Sequence, residues 1–442
     1  MELLYLLIAV LLIILMTTRW KIHPFLALFT IAILYGLAAG MPLEALISSV
    51  NNGFGDTLGK IGLIILFGVI IGAFLERTGG AFSIAERVLQ WIGRKNIPSA
   101  MGIIGYIISI PVFADSGFLL LQPLNKGLSR RAKITIAGSS VALGLGLLAS
   151  HTLVPPTPGP IAAAGILDAN LGLVIAIGFP VSVVALLAAL LYSKVYASKT
   201  YIDPDSIGDL GLLPDKDEER PGAFRASIPI LVPIILIILK SVAVQIIDKP
   251  EGLWNLVVFL GEPVIALFIG VLLCLLLPKK IESKMLSAGG WIGSAVKEAA
   301  GIILITGAGG IFGKVLYDSG IADALGDSLV SLEIGLLLPF ILAAALKTAQ
   351  GSSTVALITT ASILVPMLPV LGFESEIEKA MVVVAIGAGS SVISHANDSF
   401  FWVVTQMSGM NVKTGYRLFS LGSFVLGTAG LLALYAISFF II

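Results

Sequence analysis

Ser150-His-Thr-Leu-Val-Pro-Pro-Thr-Pro-Gly-Pro160 interrupts an otherwise apolar stretch that runs from 134 to 165. Its four prolines between 155 and 160 cannot remain helical, because each ring removes an N–H donor and clashes with the turn before it. Unpaired backbone at membrane depth is costly unless it lines protein or a wet cavity. The stretch therefore reads as a broken helix turned toward the interior of a membrane bundle. A second break, Ser394-His-Ala-Asn-Asp-Ser399, divides the apolar run 380–410 in the same way.

Before each broken helix lies an apolar stretch split near its middle by small and polar residues. In 97–125 the split is Pro111-Val-Phe-Ala-Asp-Ser-Gly117; in 334–370 it is Lys347-Thr-Ala-Gln-Gly-Ser-Ser-Thr354. A re-entrant hairpin, entering and leaving on one side, explains both. The remaining apolar runs, at 2–18, 24–40, 61–76, 171–195, 226–248, 253–277, 298–316 and 418–441, are candidate membrane spans. Composition agrees. Only 12% of the 442 residues are charged, against about 25% in soluble domains, too few for a water-facing surface of normal size. Lys+Arg and Asp+Glu balance at 27 each, so charge gives no case for a nucleic-acid partner. The single cysteine, Cys274, cannot form an internal disulfide and reads as packing. Arg19 and Lys21 follow the first apolar run rather than precede it, so that run reads as a membrane helix, not a cleaved signal.

Basic residues set the orientation. Arg94, Lys95, Lys126, Arg130, Arg131 and Lys133 crowd the base of the first hairpin and place it in the cytoplasm. The second base carries Asp323, Asp327, Glu333, Glu374, Glu376 and Glu378 with a lone Lys379, and is expected outside. Arg19, Lys21, the polar loop 196–225, Lys279, Lys280, Lys284, Lys413 and Arg417 then fall inside, and both termini outside. Glu44, Asp56, Lys60 and Glu298 read as solvated interfacial charges, Glu76 and Asp318 as span-end groups, and Trp20, Trp91, Trp254 and Trp291 as interfacial anchors.

The halves resemble each other. Gly62-Leu-Ile-Ile-Leu66 pairs with Gly301-Ile-Ile-Leu304, and Phe74-Leu-Glu-Arg-Thr-Gly79 with Val315-Leu-Tyr-Asp-Ser-Gly320. Ala142-Leu-Gly-Leu-Gly146 pairs with Ala385-Ile-Gly-Ala-Gly389, and Ser150-His151 with Ser394-His395. The offset barely drifts: 79 to 320 is 241, and 151 to 395 is 244. The expected fold is an all-α polytopic membrane protein of two repeats, 1–195 and 226–442, joined by a cytoplasmic linker, 196–225. Each holds about five spans plus a hairpin. An odd number of spans inverts the second copy, as the opposite charge of the two hairpin bases requires. Inverted repeats with interrupted helices are a secondary-transporter architecture, with substrate held where they meet.

Four interruptions supply the candidate site. The first tip offers Asp115, Ser116 and Gly117; the second offers Gln350, Gly351, Ser352, Ser353 and Thr354. A helix starting at each tip presents free N–H groups and its positive dipole end, a place for an anion. Capping of the hairpin alone is the rival reading. The breaks add His151, Thr152, His395, Asn397 and Asp398. A histidine at a kink is commonly a satisfied core group, but two at matched repeat positions favour a role in binding. His23, beside Pro24, reads as structural. A carboxylate facing an arriving anion gains a proton as the anion binds, so Asp115 is the first proton-coupling candidate. Asp398 is the second, since three helical residues would set it beside His395. Sodium held by backbone carbonyls at the same breaks is the rival coupling mechanism.

With His151-Thr-Leu-Val-Pro-Pro-Thr-Pro-Gly-Pro160, Ala349-Gln-Gly-Ser-Ser-Thr-Val-Ala356 and Ser394-His-Ala-Asn-Asp-Ser399 in this order and spacing, the chain resembles the gluconate permease family of proton symporters over nearly its whole length. The resemblance implies proton-driven uptake of gluconate or a related sugar acid across a bacterial inner membrane, with no cofactor. It also implies an elevator mechanism and a homodimer. Val112-Phe-Ala-Asp-Ser-Gly-Phe118 departs from the family, which looks more like a phenylalanine pair followed by glutamate. Lys347 stands where arginine is more typical. Both departures fall at expected substrate positions and open the alternative of a D-serine-like amino acid or other hydroxy acid. A channel does not need two inverted hairpins. An embedded hydrolase finds no His-Glu-x-x-His and no Gly-x-Ser-x-Gly pattern. His395 and Asp398 are too few ligands for a metal site.

Overall fold

The chain is all-helical in a computed structural model that describes residues 2–92, 96–206, 220–246, 252–321 and 335–441. Among the described residues six helices are long and apolar enough to cross a membrane, seven if the bent pair Leu253–Leu260 and Pro263–Cys274 counts as one span. That pair occupies the expected span 253–277 and bends by 73° between Leu260 and Pro263, where Pro263 opens a new helix without a side-chain cap. The first expected span forms the helix Glu2–Thr18, and the second ends two residues early, as Pro24–Ala38. His23 accepts a bond from the Phe25 N–H and caps the second of them.

The expected span 61–76 is the end of a much longer helix, Leu43–Arg77. Its polar first half looked interfacial because Glu44, Asp56 and Lys60 break the apolar pattern. All three are exposed, and Lys60 pairs with the exposed Asp168 at 2.7 Å; the buried Ser49 on the same half donates to Asp318 at 2.6 Å. Small residues let this helix lie close against Trp291–Asp318. A Cβ added at Gly310 would sit 2.5 Å from the Gly53 carbonyl oxygen. Gly80–Ile92, which the sequence did not announce as a helix, buries Phe82, Ile84, Ala85, Val88 and Leu89 on one face. Its exposed charges had hidden the 3.6-residue period.

Each stretch expected to be a hairpin or a broken helix consists of two helices. The first hairpin consists of Ile97–Ile108 and Ala114–Ala132, and the first broken helix of Ile136–Leu153 and Pro158–Ile166. The second hairpin consists of Leu337–Gln350 and Ser353–Leu364, and the second broken helix of Glu376–Ser390 and Ser399–Met407. These pieces pack with one another and with Leu171–Val195 and Leu421–Ile441, while Leu43–Arg77, Trp291–Asp318, Pro263–Cys274 and Ala223–Ile246 pack as a second group. Gly79 and Gly320, matched in sequence, both take positive φ, +70° and +78°, just past the ends of the two long helices.

Several of the loops expected at the cytoplasmic end make contact with one another. Arg130 pairs with Asp205 at 2.9 Å, Arg417 donates to Thr200 at 2.9 Å, and Arg225 reaches the Pro278 carbonyl. Arg94, Lys95, Asp323, Asp327, Glu333 and most of the linker's charged run lie outside the described residues. If this end is cytoplasmic, Tyr201→Cys on a Cys274→Ser background will resist an impermeant thiol reagent in intact cells and react after lysis. Glu374→Cys will react in both. The reverse pattern would invert the orientation.

Candidate functional site

Three helices begin at one point inside the bundle. Ala114–Ala132 starts at the first hairpin tip, Ser353–Leu364 at the second, and Ser399–Met407 at the second break. Their first turns line a cavity of about 280 Å³ together with Leu148, His151, Gln350, Gly351 and Asn397. Each N-terminus brings unpaired N–H groups and the positive end of a dipole. Ser352 accepts from the Val355 N–H at 3.3 Å and Asp398 from the Phe400 N–H at 3.0 Å, but Phe113 provides no side-chain cap. The first hairpin's N-terminus therefore faces the cavity without an N-cap side chain.

Several polar atoms around the cavity are buried without a partner: Asp115 Oδ1, His151 Nδ1, and both Nε2 and Oε1 of Gln350. Buried polar groups are almost always hydrogen-bonded. Four orphaned atoms from three elements, facing one space, mark a place where ligand or water completes the bonding.

Beneath the cavity Lys347, 1% exposed, ties the second hairpin to the second break. Its Nζ donates to the Gly351 carbonyl at 2.5 Å and to Asp398 Oδ2 at 2.6 Å. The Ser394 hydroxyl also donates to Asp398 Oδ2. Asn397 Nδ2 donates to the Thr348 and Ala349 carbonyls at 2.7 and 2.9 Å, closing the same seam. Gly351 has φ +84°, and a Cβ there would stand 2.2 Å from the Asn397 carbonyl oxygen. Only glycine fits both the turn and the contact. Ile393, a β-branched residue at φ +50°, strains the break itself.

Asp115, His151, Gln350, Gly351, Ser352, Ser353, Thr354, Asn397 and Asp398 thus converge on one cavity. Four other candidates do not line it. Ser116 sits a position along the tip helix, outside the lining. Gly117 packs on Leu147, which a Cβ would meet at 2.7 Å. Thr152 donates to its own helix at the Leu148 carbonyl. His395 Nε2 bonds the Thr348 carbonyl at 2.7 Å and stacks on Tyr416. His395 does not pair with Asp398, because the chain between Ser391 and Asp398 is not helical and i,i+3 spacing has no meaning there. Sequence reasoning missed Phe113, Ala114, Leu148, Ser399 and Phe400 in the lining. The short helix after Asp398 was the available signal: a Ser directly after an Asp cap opens a helix as a tip serine does.

A sequence model of the GntP family permeases matches residues 1–440. An "Uncharacterized permease" of Haemophilus influenzae is 36% identical over 423 residues, 92% of this chain and 86% of that protein. The "Inner membrane permease YgbN" of Escherichia coli K12 is 34% identical, covering 97% and 96% of the two chains. A "Gluconate permease" of Pseudomonas aeruginosa is 31% identical over 96% of this chain and 95% of its own. Among solved structures, the YdaH transporter of Alcanivorax borkumensis shares the fold with a TM-score of 0.61 at 15% identity, over 94% of this chain and 98% of that one.

Proposed function

The chain belongs to the GntP permease family, and from that premise we propose that it imports gluconate or a related sugar acid by proton symport. It is a multi-pass inner-membrane permease and not an enzyme. The observation that carries the proposal is the meeting of three helix N-termini on one small cavity with orphaned polar atoms. Helix N-termini hold a carboxylate without a dedicated cation. The one buried lysine nearby is already matched by Asp398. Gln350, with donor and acceptor both unpartnered, suits the hydroxyls of a polyhydroxy acid. At about 280 Å³ the cavity lies just below the usual range of ligand pockets, about 300 to 1,000 Å³.

In this reading 1–195 and 226–442 are inverted repeats joined by the linker 196–225. Support comes from the repeated order of long helix, hairpin, broken helix and closing helix, and from the matched Gly79 and Gly320 turns. The hairpins, broken helices and their two companions form the moving body of an elevator, and the long-helix group its scaffold. Charge counting supports the proton. Asp115 and Asp398 share the cavity, and Lys347 answers only Asp398. A substrate carboxylate beside an ionised Asp115 would set two like charges against each other in one small space, so the anion enters with a proton on Asp115.

Binding is the direct test. A hydrogen bond to a charged group is worth about 1.5–3 kcal/mol, roughly ten- to a hundredfold in affinity. Ser352→Ala, correctly inserted, is expected to weaken substrate binding by about that factor, and Gln350→Ala, which loses bonds to neutral hydroxyls worth about 0.5–1.5 kcal/mol each, by roughly two- to tenfold. Labelled gluconate, other aldonates, glycerate and D-serine, offered to the wild type, identify the acid. Unchanged affinity in both variants would remove the second tip from the site. Preference for D-serine would move the substrate out of the sugar acids.

A further inference from the structure

A second and larger cavity, of about 770 Å³, shares no lining residue with the transport cavity. We propose that it binds the headgroup of an anionic phospholipid from the surrounding leaflet. Arg77, Arg220, Lys279 and Lys280 line it, and Glu282 is the one acid among its lining residues. Among the described residues no carboxylate pairs with Arg77 or Lys280 at ion-pair distance. Four cations converge from three separate chain segments: the end of Leu43–Arg77, the start of the chain leading into Ala223–Ile246, and the loop after Cys274.

Two features tie this cavity to lipid rather than open water. Trp291 and Met285 form an apolar wall beside the charges, and Trp291 packs edge-on against Phe74 with ring centroids 5.3 Å apart. Tryptophan in such a place sits at headgroup level. The amphipathic helix Gly80–Ile92 adjoins the same corner: the Arg220 guanidinium lies 4.6 Å over the Phe82 ring of that helix. Its Trp91 is 74% exposed, with Arg87 over the ring at 5.5 Å. An amphipathic helix carrying an exposed tryptophan and an arginine marks the plane of the membrane surface. A basic pocket between helices at that plane is complementary to a phosphodiester with acyl chains running along the apolar wall. The helix Trp291–Asp318 also begins at the cavity with no side-chain cap, which adds its dipole to the attraction.

The test uses the full chain purified in detergent, with three ligands: short-chain phosphatidylglycerol, phosphatidylcholine of the same chain length, and glycerol 3-phosphate. Native mass spectrometry counts bound molecules, and thermal unfolding reports their effect. Phosphatidylglycerol is expected to bind at least tenfold more tightly than phosphatidylcholine and to raise the unfolding temperature. The Lys279→Gln/Lys280→Gln variant is expected to lose that preference while unfolding normally without lipid. Arg77→Gln is a second, independent route should the double variant fold poorly. Equal binding of the two lipids would overturn the proposal, as would a preference that survives both variants. Glycerol 3-phosphate binding as tightly as phosphatidylglycerol would reassign the site to a soluble phosphate.

Discussion

Asp115→Asn in proteoliposomes is expected to lose substrate accumulation against a gradient while still exchanging labelled for unlabelled substrate across the membrane. The reason is the charge count of the cavity. Asp115 opens the first hairpin's helix, has an oxygen without a partner, and shares a small space with Asp398. Asparagine keeps the shape and the hydrogen-bonding capacity, so the anion still binds and still crosses. It cannot exchange a proton, so binding no longer draws on the gradient. One proton with one monoanion carries no net charge. Wild-type uptake should therefore follow the pH difference at roughly tenfold accumulation per unit, and ignore an imposed potential at equal pH. The variant should stop at about onefold, simple equilibration. A variant that still concentrates substrate on a pH gradient alone removes Asp115 from coupling. Wild-type uptake that requires sodium and ignores pH removes proton symport altogether.

A purely structural Asp115 predicts something else. A carboxylate in the first turn of a helix contributes about 0.3–1 kcal/mol through the dipole. Its loss would lower stability slightly and affect exchange and accumulation together. Separate loss of accumulation, with exchange intact, is the signature that a capping role cannot produce.

How far the sequence carried the structure depended on the kind of signal. Pro155, Pro156, Pro158 and Pro160 announced the first break through backbone chemistry alone, and Asn397 with Asp398 announced the second through the cost of polar groups in lipid. Gln350-Gly-Ser-Ser-Thr354 announced a tip, and its Gly351 does take the left-handed turn. Local chemistry does not specify long-range partners. Lys347 meets Asp398 across 51 residues, so its role was invisible until the two elements were set side by side. Assuming a helix through 395–398 paired Asp398 with the wrong neighbour. The polar half of Leu43–Arg77 was passed over for a related reason: hydropathy recognises lipid-facing helix, and this part answers Asp168 and Asp318 instead.

The Lys347–Asp398 pair should prove the most stabilising polar contact of the site and the least replaceable singly. Both groups are almost fully buried, and each makes its other bonds to the same seam: Lys347 to the Gly351 carbonyl, Asp398 to Ser394 and the Phe400 N–H. Removing one member of a buried pair strands the other charge, at a cost of about 3–5 kcal/mol. Lys347→Met and Asp398→Asn are each expected to destabilise the protein by about that much, read as a large fall in unfolding temperature in detergent. Lys347→Met combined with Asp398→Leu removes both charges, and should recover much of the loss, because no charge is then left buried without its partner. Transport should not recover with it. The pair holds the second hairpin's carbonyl turn against the break, and the break's helix supplies one of the three N-termini at the cavity. A stable double variant that binds substrate weakly would assign the pair to positioning that helix. A double variant no more stable than the singles would show that the hydrogen bonds to Gly351, Ser394 and Phe400, rather than the charge pairing, carry the stability. One that transports normally would show that the third N-terminus finds its place without the pair.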